Sequence, residues 1–172
     1  MAQSFRESLD EFLDQTVDPS GESLPTKIEL IPEGTECKGT VTGIRPIAYQ
    51  NADSGEWNAM AEIMYSIDSP EVKEETGLDD PRAVQILRLD VRRDWDGRGS
   101  PPLEFGRNKN VDLGKLLTAF GMNDGRKFKW SSFMHEDAYL RIGRPRREED
   151  RYAPVSMVGR EPDDVKTRSK KK

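Results

Sequence analysis

The sequence predicts an all-β domain of five strands with one main helix and flexible tails at both ends, and three observations carry that prediction. Apolar and polar residues alternate in successive runs after Lys27, and a single stretch near residue 115 repeats its apolar residues at helical spacing. Both ends are rich in charge and turn formers. With 172 residues, 34% hydrophobic and 34% charged, the chain can build one core and leaves part of itself outside it.

Residues 1–26 read as an acidic N-terminal tail. Phe5, Leu9, Phe12 and Leu13 fall at near-helical spacing, which predicts a short amphipathic helix, and TVDPSGESLPT after them reads as a linker. A mobile tail and a docking helix for a partner both fit this segment. From Lys27 the pattern becomes strand-like: KIELI, then ECKGTVTGIRPIAYQ, then EWNAMAEIMYSI. The NADSGE turn between the last two predicts an antiparallel hairpin, with Asp53, Ser54 and Gly55 able to supply positive φ. Trp57, Ala59, Ala61, Ile63, Tyr65 and Ile67 share one parity, the buried face of a regular strand.

SPEVKEETGLDDPR has no sustained period and reads as a surface excursion. In RAVQILRLDVRRDW, Leu87, Leu89 and Val91 alternate with Arg88, Asp90 and Arg92, predicting a strand from Arg82 to Trp95 with one arginine-bearing face. A loop rich in Gly, Pro and Arg leads to the main helix, where Leu113, Leu116, Leu117 and Phe120 form one stripe. Asn110 suits its N-cap and Gly121 its C′ position. Two strands follow, AYLRIGR with Leu140 and Ile142 inward and RYAPVSMVG, where Pro154 points to an edge or a bulge. Residues 27–160 thus form the domain, and residues 161–172 a disordered basic C-terminal tail.

End to end the core reads strand, strand, strand, helix, strand, strand. That order is the β-β-β-α-β-β of a five-stranded OB-fold barrel, in which the helix plugs one end and closure removes exposed edges. An open sheet with one covering helix is the other architecture the order allows.

GTECKGTVTGIRPIAYQNADSGEWNAMAEIMYSI, a long insertion, LGKLLTAFGM and AYLRIGRPRREEDRYAPVSMVG together resemble phage-encoded OB-fold single-stranded-DNA-binding proteins, over about Glu33 to Val158. The resemblance implies sequence-independent binding and protection of single-stranded DNA during viral DNA replication or recombination, with replication or recombination proteins as partners. Members of that group end in an acidic tail that recruits partners, whereas this chain ends in KTRSKKK. Recruitment through the C-terminal tail is therefore not implied, and two alternatives stay open: the acidic N-terminal segment serves instead, or no segment does.

Binding single strands needs cations along the phosphates and aromatic faces for the bases. The net charge of −5 hides a strong asymmetry: −12 over Met1–Asp79, +5 over Asp80–Arg160 and +2 over Glu161–Lys172. An acidic total therefore does not exclude a polyanionic partner, since the local field decides attraction. Arg88 and Arg92 are candidate phosphate contacts, the alternative being a solvated face with ion pairs to Asp90 and Asp94. Tyr49 and Trp57 flank the first hairpin loop, and Arg144, Arg146, Arg147, Arg151 and Tyr152 the loop between the last two strands; both loops clamp nucleic acid in this fold. Trp57 can equally cap the core, and Glu148, Glu149 and Asp150 can neutralise the arginines. Trp95, beside Arg92, Arg93 and Arg98, is a further stacking candidate or a packing residue, and Trp130 is expected to pack against the helix.

One cysteine, Cys37, and one histidine, His135, exclude an internal disulfide and the usual zinc sites, and no cofactor is expected. The sequence lacks a GxSxG elbow, a phosphate-binding Gly-rich loop with Lys and Ser/Thr, and an HExxH pair, so a non-enzymatic role is expected. The acidic run Glu74, Glu75, Asp79, Asp80 reads as solvated loop. No signal peptide or spanning segment is visible, which places the protein in the cytoplasm, that of the host cell if it is viral. An RNA-binding module and a protein-interaction adaptor remain open beside the DNA reading.

Overall fold

The structure is a computed structural model describing residues 2–166, with side chains from Ser8 onward. Its elements are α1 (Ala2–Leu13), β1 (Glu36–Gln50), β2 (Trp57–Ile67), α2 (Pro70–Thr76), β3 (Arg82–Leu89), α3 (Val111–Ala119), β4 (Asp137–Ile142) and β5 (Ala153–Gly159). The five strands close into a barrel in the order β1-β2-β3-β5-β4, and α3 lies between β3 and β4 in the chain. This is an OB-fold-like barrel with the element order that the sequence predicts.

β1 serves both sides of the barrel. It pairs antiparallel with β4 over Glu36–Thr40 and with β2 from Gly39 to Gln50. A bulge between Val41 and Gly43 makes the double duty possible, because the extra residue bends the strand and resets its parity. Before it Cys37 and Val41 point inward; after it Ile44, paired with Ile63, takes the inner side and Arg45, Ile47 and Tyr49 the outer. Gly39 is needed where β1 crosses between partners, since a Cβ there would stand 2.5 Å from Leu140 Cδ1. β2 alternates strictly, burying Ala59, Ala61, Ile63, Tyr65 and Ile67, and the Tyr65 hydroxyl donates to Gln85 Oε1 at 2.7 Å. Burial raises the Tyr65 phenol well above its ordinary pKa and the Cys37 thiol to about 11. β3 pairs antiparallel with β2, and the barrel closes through two parallel pairs, Ala83 with Ala153 and Val84 with Pro154.

α3 buries Leu113, Leu116, Leu117 and Ala119 against the core. Gly121, at φ 70°, ends it as predicted: its N–H reaches the Thr118 carbonyl, and that of Met122 reaches Leu117 at 2.8 Å. Phe133, fully buried in a 3-10 turn at Trp130–Phe133, stacks on Phe128 and meets Trp130 edge-on.

Five expectations are corrected. KIELI forms no strand; only Ile31 of that run is buried. The excursion after β2 contains α2, a short helix made by the Ser69 N-cap, Pro70 in the first turn and Gly77 at φ 68°, with Val72 anchored in the core. β3 stops at Leu89, and Val91 makes an isolated bridge to Leu103 instead of prolonging it. Asn110 does not cap α3 with its side chain; it ties the helix start to the end of β3. The tail expected to be disordered from residue 161 forms a 3-10 turn at Pro162–Val165, with Val165 buried and a capping box between Glu161 and Asp164; its remainder, 167–172, lies outside the described residues. Of the hairpin-turn residues, Gly55 alone takes positive φ. α1 forms as predicted; its Leu9, Phe12 and Leu13 are exposed, and the Phe5 side chain lies outside those described.

Candidate nucleic-acid interface

The outer face of the β1-β2-β3 sheet is assembled by strand register. Opposite parity to the core sets Met60, Glu62 and Met64 outward on β2, facing Ile47, Arg45 and Gly43 on one side and Arg88, Ile86 and Val84 on the other. Two cross-strand rows result, Ile47–Met60–Arg88 and Arg45–Glu62–Ile86. Ile86 is an exposed large apolar residue on this face, and Tyr49 continues it at the end of β1, opposite Asn58.

The β4–β5 connection rises beside this face and makes it a groove of about 610 Å³. Ile47, Glu62, Val84 and Ile86 line the floor, and Arg146, Arg147, Asp150, Arg151, Tyr152, Pro154 and Val155 line the wall. The wall loop is shaped by one carboxylate: Asp150 Oδ2 accepts the backbone N–H groups of Arg146 at 3.0 Å and Arg147 at 3.1 Å. Glu148 faces Lys27 across 3.8 Å. The acids of this loop are therefore not spent on its arginines, and among the described residues no ion pair holds the guanidinium groups of Arg144, Arg146, Arg147 or Arg151, or of Arg88 on the outer sheet face beyond the floor. Glu62, the floor's carboxylate, is matched by Arg45 at 3.1 Å. The result is a largely apolar floor flanked by free cations, with Tyr152 at the wall and Tyr49 on the same sheet face beyond the groove lining, both near two-fifths exposed.

The predicted site residues divide accordingly. Arg146, Arg147 and Tyr152 line the groove, and Arg88 and Tyr49 share its outer face. Arg144 is exposed just beyond β4 but is not part of the groove lining. The remaining four stand elsewhere. Trp57 is on the core side of β2, and the backbone of Gly97 lies against its indole so closely that a Cβ would sit 2.5 Å from the ring. Trp95 is 9% exposed, edge-on to Trp57 at 6.5 Å, with its indole N–H donating to the Arg98 carbonyl at 2.9 Å. These two tryptophans fasten the β3–α3 loop to the hairpin: Trp95 is buried, and Trp57, half-buried, has the Gly97 backbone against its ring. Arg98 is exposed within that loop, and Arg92, past the end of β3, faces Asp94 at 3.9 Å. Arg88 and Arg92 therefore do not share one strand face.

Sequence reasoning passed over Arg45, Ile47, Met60, Glu62 and Ile86. Folding the hairpin about NADSGE and reading the parity opposite Ala59, Ala61 and Ile63 would have found the β2 members. The β1 members also required the bulge at Thr42, which no local signal marks.

Among the described residues no group of three or more His, Cys, Asp or Glu side chains could hold a metal ion, and no helix is long and apolar enough to cross a membrane. His135 lies in the turn before β4, its N–H on the Val41 carbonyl. Compared with known protein families and with curated proteins, the chain matches none.

Proposed function

We propose that the protein binds single-stranded DNA, largely without regard to sequence and without catalysis, in the groove between the outer face of β1-β2-β3 and the β4–β5 loop. One observation carries the reading: an exposed apolar and aromatic track is bordered by Arg146, Arg147 and Arg151, with Arg88 on the same outer sheet face, none of them held by an ion pair among the described residues. Unpaired bases offer apolar faces for such a floor and for Tyr152 and Tyr49, while their phosphates take up the guanidinium groups. A duplex hides its bases and has no use for that floor. The sheet face and the loop between the fourth and fifth strands are also the usual ligand side of this fold. The resemblance of the sequence pattern suggests phage DNA replication or recombination as the setting.

Anisotropy of a labelled oligo(dT) titrated at several salt concentrations tests the proposal. Affinity is expected to fall with salt, with a slope of about −0.7 per phosphate neutralised. Arg88→Ala with Arg147→Ala should weaken binding and flatten the slope by about 0.7 for each arginine. Tyr152→Ala should cost about 1–3 kcal/mol with little change of slope. Affinity and slope unchanged in the double variant overturn the assignment of this groove, and equal affinity for duplex overturns the single-strand reading. The same titration with oligo(U) separates DNA from RNA. Tryptophan quenching is a poor probe here, because Trp57 and Trp95 are packed on each other rather than on the groove.

A further inference from the structure

Two apolar surfaces are left open away from the DNA groove, and they are complementary. The first is α1, whose Leu9, Phe12 and Leu13 are 45%, 69% and 68% exposed at i, i+3, i+4 spacing. Its sequence through Asp14 carries four acids and one arginine. The second is a groove of about 800 Å³ alongside α3, floored by Leu113, Leu117, Phe128 and Trp130, with Phe105 74% exposed at its lip. Residues 104–129 around it carry six Lys and Arg against three acids; of the cations lining the groove, Lys109 faces Glu104 at 3.3 Å and Arg126 faces Asp124 at 3.6 Å, while Lys127 is in no ion pair among the described residues. An amphipathic helix reading i, i+3, i+4 into an apolar groove is a common mode of recognition, and the opposite charges of helix and rim favour this pairing.

We propose that α1 of one copy docks in the α3 groove of a second copy, so that the protein self-associates by exchanging its N-terminal helices. A second copy is the fitting occupant because each chain holds one open helix and one open groove. Reciprocal exchange fills both at once and closes the assembly as a two-fold pair. The groove lies along α3 rather than on the outer β1-β2-β3 face, so the pairing leaves the proposed DNA groove accessible and does not depend on it.

Light scattering coupled to size exclusion, on the full chain without nucleic acid, tests this. At about 100 μM the wild type is expected near twice the 19.6 kDa chain mass, moving toward the single mass on dilution. Phe12→Asp with Leu13→Asp, and separately Phe105→Glu with Lys127→Glu, should each give a single-chain mass, with far-UV dichroism and thermal midpoint matching those of the wild type diluted to its single mass, because all four positions are exposed. Mixing the two variants should restore a one-to-one pair, since one supplies an intact groove and the other an intact helix. A wild type of single mass at every concentration overturns the proposal, whether or not α1 docks on its own chain. So does a pair that survives both sets of substitutions.

Discussion

Gly97 shows how much a single backbone position decides. It takes φ 83°, and a methyl group there would press into the Trp57 indole. Gly97→Ala is therefore expected to destabilise the protein by about 1–3 kcal/mol and to shift its tryptophan emission. Urea unfolding followed by fluorescence checks this, and a change within about 0.5 kcal/mol would show that the loop can move away. The same residue explains why Trp57 and Trp95 could not be placed from sequence. Trp95 has arginines and acids beside it in the chain and Trp57 stands at a hairpin loop, positions that suit a binding surface, whereas their neighbours in space are each other and a glycine brought in by a loop. Arg146, Arg147 and Tyr152 were legible because they sit beside strand ends, where local order alone puts them at the rim.

At the scale of elements, α3 was readable at its C-terminus and not at its start. Gly121 ends the helix by a local rule, but Asn110 answers to a distant partner. Its side chain accepts the Asp90 N–H at 2.8 Å and donates to the Asp90 and Glu104 carbonyls at 3.0 and 2.8 Å, while its own N–H donates to Asp90 Oδ2. Asn110 also takes φ 51°, a conformation that asparagine tolerates better than alanine. Asn110→Ala should cost about 1–3 kcal/mol by taking their side-chain partner from the part-buried Asp90 N–H and Glu104 carbonyl, measurable as a lower urea midpoint with unchanged slope. α2 escaped sequence reading for the opposite reason. Seven residues are too few to show a period, and the helix depends on its cap, its proline and the burial of Val72.

For the molecule as a whole, two carboxylates tie strand to strand across the barrel. Asp137 on β4 accepts the Thr40 hydroxyl at 2.6 Å and faces Lys38 at 3.3 Å; Asp80, just before β3, accepts the Ser66 hydroxyl of β2 at 2.6 Å and pairs with Arg82. Those hydroxyl bonds first, and the neighbouring cations with them, hold both carboxyls below their ordinary value of 3.8. A folded pKa below the unfolded one gives stability that is complete above about pH 4 and fades as pH falls through the depressed values. Thermal midpoints at pH 6 and pH 3 should therefore differ less in Asp80→Asn with Asp137→Asn than in the wild type, and an identical difference would remove these carboxyls from the acid response. The strands of the barrel and their order along the chain were legible because alternation and turn residues act locally, whereas the pairing of β3 with β5 and of β1 with β4 joins distant segments. The docking of Val165 was not, since a lone valine among charges carries no pattern until Gly159 lets the chain fold back on itself.

The barrel's shortest join is the one between β3 and β5, where two residue pairs meet and one of the four residues, Pro154, has no N–H to share. Val84 and Pro154 of that join also line the proposed binding groove. A polymer lying there would span the join like a suture, so that holding a strand and keeping the cylinder shut become one mechanical act.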